Sequence, residues 1–175
     1  MKSLKLSLFI CIATTAIALI SCKTDPCLNK VCKNLGVAKE TPDGKSCTCE
    51  CSVGYTGDSC QTTVLSTLTS KAWSATRTVN GVPKTTPYSV MFTQNLTSLT
   101  NIKLQNISNK TCDPGGTDVY TLAVIKSATK IEFDTTAQCG YNFIGGGEKQ
   151  SDGSWIFTFD LKYGTTTDKV VATVK

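Results

Sequence analysis

The sequence contains no histidine among its 175 residues and only two methionines. Without an imidazole there is no Ser-His-Asp or Cys-His nucleophile pair and no HExxH metal site. A mixed Cys/His zinc site is excluded on the same ground. Charge is sparse, at 18% of residues. The 18 basic residues less Lys2 and Lys5, which sit in a segment expected to be removed, leave 16 against 13 acidic, a balance of +3. Those charges are scattered, with no basic run and no interleaved aromatics, so no nucleic-acid partner is expected. Nor is there an apolar run longer than residues 6–20 (LSLFICIATTAIALI), which is short for a membrane span. What the sequence does have is ten cysteines and 40% apolar residues, enough to fold one medium domain or two small ones.

The amino terminus reads as an address. Two lysines in residues 1–5, then the apolar run, then Ser21-Cys22 have the anatomy of a secretory signal. Leu19-Ile20-Ser21-Cys22 resembles the bacterial lipobox. That resemblance implies cleavage before Cys22, a diacylglyceryl thioether on its sulfur and acylation, palmitate included, of the new amino group. The alternative is an ordinary cleavage site beside an incidental cysteine. Two or more acyl chains anchor a protein stably where one does not, so the expected membrane attachment is lipid rather than helix. Lys23 stands where an Asp would imply inner-membrane retention, which points to the outer membrane. Lys23-Thr24-Asp25 resembles the short charged surface-export signals of Bacteroidetes lipoproteins, extending the expectation to the cell surface.

With Cys11 lost and Cys22 acylated, eight cysteines remain, and six of them fall in residues 27–60. An even set in an exported chain reads as disulfides, with a Cys-only zinc site as the weaker rival. Six cysteines allow fifteen pairings. Cys49-Glu50-Cys51 followed by Gly54-Tyr55, Gly57 and Cys60 resembles the end of an EGF-like domain. Asp25-Pro26-Cys27, Cys32-Lys33-Asn34 and Gly36 fit its beginning. Where that family places its third cysteine this chain has Ala38, and an extra Cys47 restores the count. The family's one-three, two-four, five-six order implies Cys27–Cys47, Cys32–Cys49 and Cys51–Cys60, with the first two pairs open to exchange. Calcium is not expected, since Asp25 is one carboxylate for an ion that wants six to eight oxygens. Cys112 and Cys139 most simply pair with each other.

Residues 1–21 are thus expected as the signal peptide, 25–61 as the EGF-like module, 62–70 as an extended Thr/Ser-rich linker and 71–175 as an all-β domain. In that last part, runs at 72–79, 88–93, 97–107, 119–126, 130–133, 139–144, 154–163 and 170–174 read as strands. Asn80-Gly81 is the strongest hairpin signal. Gly145-Gly146-Gly147 and Asp152-Gly153 are expected to bracket another hairpin, the triplet as a turn or bulge. Trp155, Phe157, Phe159, Leu161 and Tyr163 alternate with polar residues apart from Ile156, the pattern of a half-buried antiparallel strand. The fold class is therefore mainly β, a disulfide-rich module followed by an antiparallel sandwich or up-and-down barrel. The whole order of features resembles Bacteroidetes lipoproteins in which an EGF-like module precedes a small β domain, loosely lipocalin-like. The resemblance brings no established activity.

Candidate chemistry is thin. Glu132 and Asp134 would share a strand face, which more simply reads as a solvated surface than as a glycosidase pair. Gly145-Gly146-Gly147 lacks the Lys-Ser/Thr of a phosphate loop. Trp73, Trp155 and Tyr163 are either a sugar-stacking platform or core, with core favoured. Asp134-Thr135-Thr136 matches a short bacterial O-glycosylation sequence. The expected function is non-enzymatic recognition of a glycan or extracellular protein from a lipid anchor, without cofactor. The alternative is a lipocalin-like carrier of a small apolar ligand.

Overall fold

A computed structural model describes residues 25–112, 116–134 and 138–175. The signal segment, Cys22 and Thr135-Thr136 lie outside the described residues. In the disulfide-rich region, β1 (Val37–Glu40) pairs antiparallel with β2 (Cys47–Glu50). β3 (Tyr55–Thr56) pairs with β4 (Thr62–Thr63). So few residues bury little apolar surface, and covalent staples take the place of a core. The bonds are Cys27–Cys47, Cys32–Cys49 and Cys51–Cys60. The Asp25 carboxylate is spent locally, accepting the Cys27 amide at 2.8 Å.

Residues 62–70 are not an extended linker. After β4 comes a short helix, α1 (Val64–Thr69), and its side chains explain both its formation and its placement. Thr63 caps it by accepting the Ser66 amide at 3.1 Å. The hydroxyls of Thr67 and Thr69 turn back onto the carbonyls of Val64 and Leu65 at 2.7 and 3.0 Å, so the polar residues are satisfied without water. Val64, Leu65 and Leu68 then form one apolar stripe and are buried in the main core.

The remaining elements form a closed antiparallel barrel of eight strands, each paired with its sequence neighbours. They are β5 (Trp73–Val79), β6 (Val82–Gln94), β7 (Asn101–Gln105), β8 (Tyr120–Ser127), β9 (Lys130–Phe133), β10 (Tyr141–Lys149), β11 (Trp155–Tyr163) and β12 (Thr166–Val174). Closure comes from β12 against β5, with Val170 opposite Val79 and Val174 opposite Ala75. Of the two architectures the sequence allows, the chain adopts the up-and-down barrel. Asn80 (φ 51°) and Gly81 (φ 77°) turn β5 into β6 in the two-residue hairpin expected of them.

Period-two alternation fills the interior. Along β11, Trp155, Phe157, Phe159 and Leu161 are buried, and Ile156, Thr158 and Asp160 point outward. Inside, aromatic rings touch in a continuous series: Trp73–Phe92 at 5.8 Å, Phe92–Phe157 at 6.0 Å, Phe157–Phe133 at 5.8 Å and Phe133–Phe159 at 5.3 Å. Offset and edge-on contacts of this kind add to the burial of the rings themselves. One barrel end is plugged by α1, where the Trp73 indole N–H donates to the Leu68 carbonyl at 2.8 Å. At the opposite end Ile107, after β7, and Val119, before β8, are buried in the core. Cys112–Cys139 ties the β7–β8 connection to the β9–β10 connection.

The glycine triplet also departs from expectation. Gly145, Gly146 and Gly147 lie inside β10 rather than in a turn, and only Asp152-Gly153 makes the hairpin to β11. Close approach explains it. A Cβ at Gly145 would overlap the Thr158 carbonyl, one at Gly146 the Ile131 carbonyl, and one at Gly147 the Phe157 ring. Gly145 also takes φ +146°, where side-chain-bearing residues are strained. The triplet lets β10 press against β9, β11 and the core at once.

Candidate functional site

The structure separates the residues that the sequence groups as a stacking platform. Trp73 and Trp155 are core, 7% and 2% exposed. Tyr163 ends β11 at 55% exposure, stacked on Tyr141 with ring centroids 4.6 Å apart. Tyr141 carried no distinguishing signal in the sequence, because its pairing with Tyr163 depends on the β10–β11 register.

Glu132 and Asp134 sit in different surroundings. Glu132 is engaged by Lys130 at 3.0 Å and Lys126 at 3.5 Å. The Lys130 hydrogen bond is the largest influence holding its carboxyl below the usual glutamate range. A general acid at neutral pH requires the opposite shift. Asp134 lies beyond the end of β9, its amide donating to the Leu122 carbonyl at 2.8 Å. Among the described residues no group of three His, Cys, Asp or Glu side chains could hold a metal ion.

A groove of about 700 Å³ runs over the outer face of β9, β10 and β11. Its origin is the glycine triplet. Across the three strands the register sets Lys130 beside Glu148 beside Ile156, and Glu132 beside Gly146 beside Thr158. Where Gly146 has no side chain, the wall formed by its neighbours is interrupted and the backbone is laid open as a floor. Ile156, the one residue out of pattern in β11, supplies an apolar flank to this groove. The Glu132 and Glu148 carboxylates, the Lys130 ammonium, the Thr158 hydroxyl and the Gln150 amide supply donors and acceptors along its length. Such a surface can grip an extended polar chain by hydrogen bonds and one apolar contact.

The fold and this surface define a class: a closed eight-stranded antiparallel barrel preceded by a disulfide-rich region. Compared with protein-family models, curated proteins and solved structures, the chain matches none.

Proposed function

We propose that the chain is a non-enzymatic recognition module of the cell envelope, anchored through lipid on Cys22, with an EGF-like region that spaces the barrel from the outer membrane. It engages a glycan or an extracellular protein through the outer face of the barrel. The observation that carries this reading is the contrast between a filled interior and a grooved exterior. Touching rings of Phe92, Phe133, Phe157 and Phe159 occupy the space that a carrier of apolar ligands would keep open. The groove over Gly145–Gly147, about 700 Å³, leaves room for a partner on the outer face.

The test is binding of the full chain, in detergent, to arrays of bacterial and host glycans and of extended peptides. Thr158→Arg and Ile156→Arg would fill the groove from its exposed side without touching the core. Binding by the native chain and its loss in both variants is expected. Silence on both arrays, or binding indifferent to the variants, would overturn the reading. Palmitate labelling that persists in Cys22→Ala would remove the anchor from it.

A further inference from the structure

The barrel mouth opposite α1 holds a second, smaller concavity of about 150 Å³. Its residues come from three places. Leu161 and Tyr163 end β11, Thr166 and Asp168 begin β12, and the register places Tyr163 opposite Thr166 and Leu161 opposite Asp168. Tyr141 begins β10 opposite Tyr163. Lys110 comes from the connection between β7 and β8. Buried Leu161, the stacked pair Tyr141 and Tyr163, and Lys110, Thr166 and Asp168 line it.

Several features hold this arrangement in place. The Asn80 amide donates to the Asp168 carboxylate at 2.9 Å, and its oxygen accepts the Lys169 amide at 2.8 Å, fixing the carboxylate at the rim. Cys139 (φ 53°) and Gly140 (φ 77°) turn sharply into Tyr141, and Asn109 (φ 48°) turns into Lys110. The Cys112–Cys139 bond joins these two turns, so the segments carrying Tyr141 and Lys110 cannot separate. Left-handed residues concentrated at one rim are a cost that the surrounding structure must offset, and such clusters mark positions where geometry matters.

A stacked aromatic pair sharing a small concavity with a cation, a hydroxyl and a carboxylate suits a particular kind of ligand. It must be a disc with an apolar face and a polar edge, without a strong net charge, because Lys110 and Asp168 balance each other. A pyranose ring has that form: axial C–H groups on one face and hydroxyls around the edge. We propose that this mouth is a saccharide-binding subsite, with Tyr163 stacking on the C–H face of one sugar ring and Lys110 and Asp168 hydrogen-bonding its hydroxyls. The subsite is separate from the groove on the outer face, and neither requires the other.

Saturation-transfer NMR on the full chain tests it, with the methyl glycosides of glucose, galactose, mannose and N-acetylglucosamine as probes. Transfer to the C–H face of at least one glycoside is expected. Affinity should fall about fivefold in Tyr163→Ala, the order expected for losing one aromatic contact, and hold in Tyr163→Phe. Thr158→Arg in the groove should leave it unchanged, which separates failure here from failure of the groove. If Tyr163→Ala loses its near-ultraviolet circular dichroism, Lys110→Ala takes its place, with weakened transfer expected. No transfer from any of the four probes, or transfer unaltered by either variant, overturns the proposal.

Discussion

Gly147 and Phe157 face each other across β10 and β11, and their contact gives the sharpest test of the core. Phe157 is fully buried and touches the rings of Phe92, Phe133 and Trp155. Phe157→Ala should therefore cost about 3–5 kcal/mol, the usual range for deleting a buried ring. Gly147 is not in the left-handed region, so its backbone would accept alanine, but the added Cβ would overlap the Phe157 ring. Overpacking of that kind costs about 1–3 kcal/mol, set against roughly 0.5–1 kcal/mol gained by removing a strand glycine. In the Phe157→Ala background the overlap is gone. The same methyl then enters a cavity, worth about 0.8 kcal/mol of burial, and the glycine gain is kept. Gly147→Ala should thus be neutral to destabilising alone and stabilising by about 1.5 kcal/mol in the Phe157→Ala background. The coupling is on the order of 2 kcal/mol. Guanidinium unfolding of the four proteins, disulfides intact and followed by tryptophan fluorescence, measures it. Additivity within about 0.5 kcal/mol would refute the close approach on which the account of the glycine triplet rests.

Three further outcomes are expected. Replacing Cys112 and Cys139 by alanine opens a loop of 27 residues; on chain-entropy grounds this costs about 3–4 kcal/mol, or roughly 7–15 °C in Tm by calorimetry. Leu68→Ala should cost about 2–3 kcal/mol, the low end for leucine because α1 can settle into the barrel end, and should shift Trp73 emission through the loosened indole contact. Burial, the main influence, pushes the Tyr88 phenol up to about 12 from 10, with Arg77 opposing it, while its hydroxyl donates to the Ile107 carbonyl at 3.0 Å. The folded state holds this proton more tightly, so the contribution is complete below pH 10 and is lost as pH rises toward 12. Solvent screening of a partly exposed group keeps that contribution to at most about 2 kcal/mol. Phenolate absorbance should show one late-titrating tyrosine that disappears in Tyr88→Phe.

Much of the barrel was legible because its signals are local. Alternation from Trp155 to Leu161 and the Asn80-Gly81 turn each depend on a few consecutive residues, and both appear as read. Closure is another matter. Whether eight strands make a sandwich or a barrel depends on β12 meeting β5, and nothing near Val170 or Val79 in sequence records that they are opposite. The helix α1 was obscured by its composition, since Ser and Thr favour extended or turn structure unless their hydroxyls turn back onto the helix. The spacing of Val64, Leu65 and Leu68 was the available sign. Gly145-Gly146-Gly147 read as a turn because glycine relaxes backbone geometry; its other use, allowing neighbours to come close, depends on Ile131, Phe157 and Thr158, distant in sequence or on another strand. The groove follows from the triplet, so it was hidden with it.

The two ends of the barrel differ in a way that bears on orientation. Each hairpin of a meander alternates between ends, so α1 and the disulfide-rich region, preceding β5, share the end where Trp73 lies. Val64 donates its amide to the Gly54 carbonyl at 2.8 Å, and the disulfide-rich region is thereby tied to that end. Tyr141, Tyr163 and Asp168 stand at the other end. If the chain is held at Cys22, the plugged end faces the membrane and the mouth faces away, with the groove along the side. Moving the anchor to the carboxyl terminus discriminates this from coincidence. Lys175 exchanges hydrogen bonds with Ser74 at 3.0 and 2.8 Å, close to the plugged end, so a short carboxyl-terminal anchor should preserve the mouth's orientation.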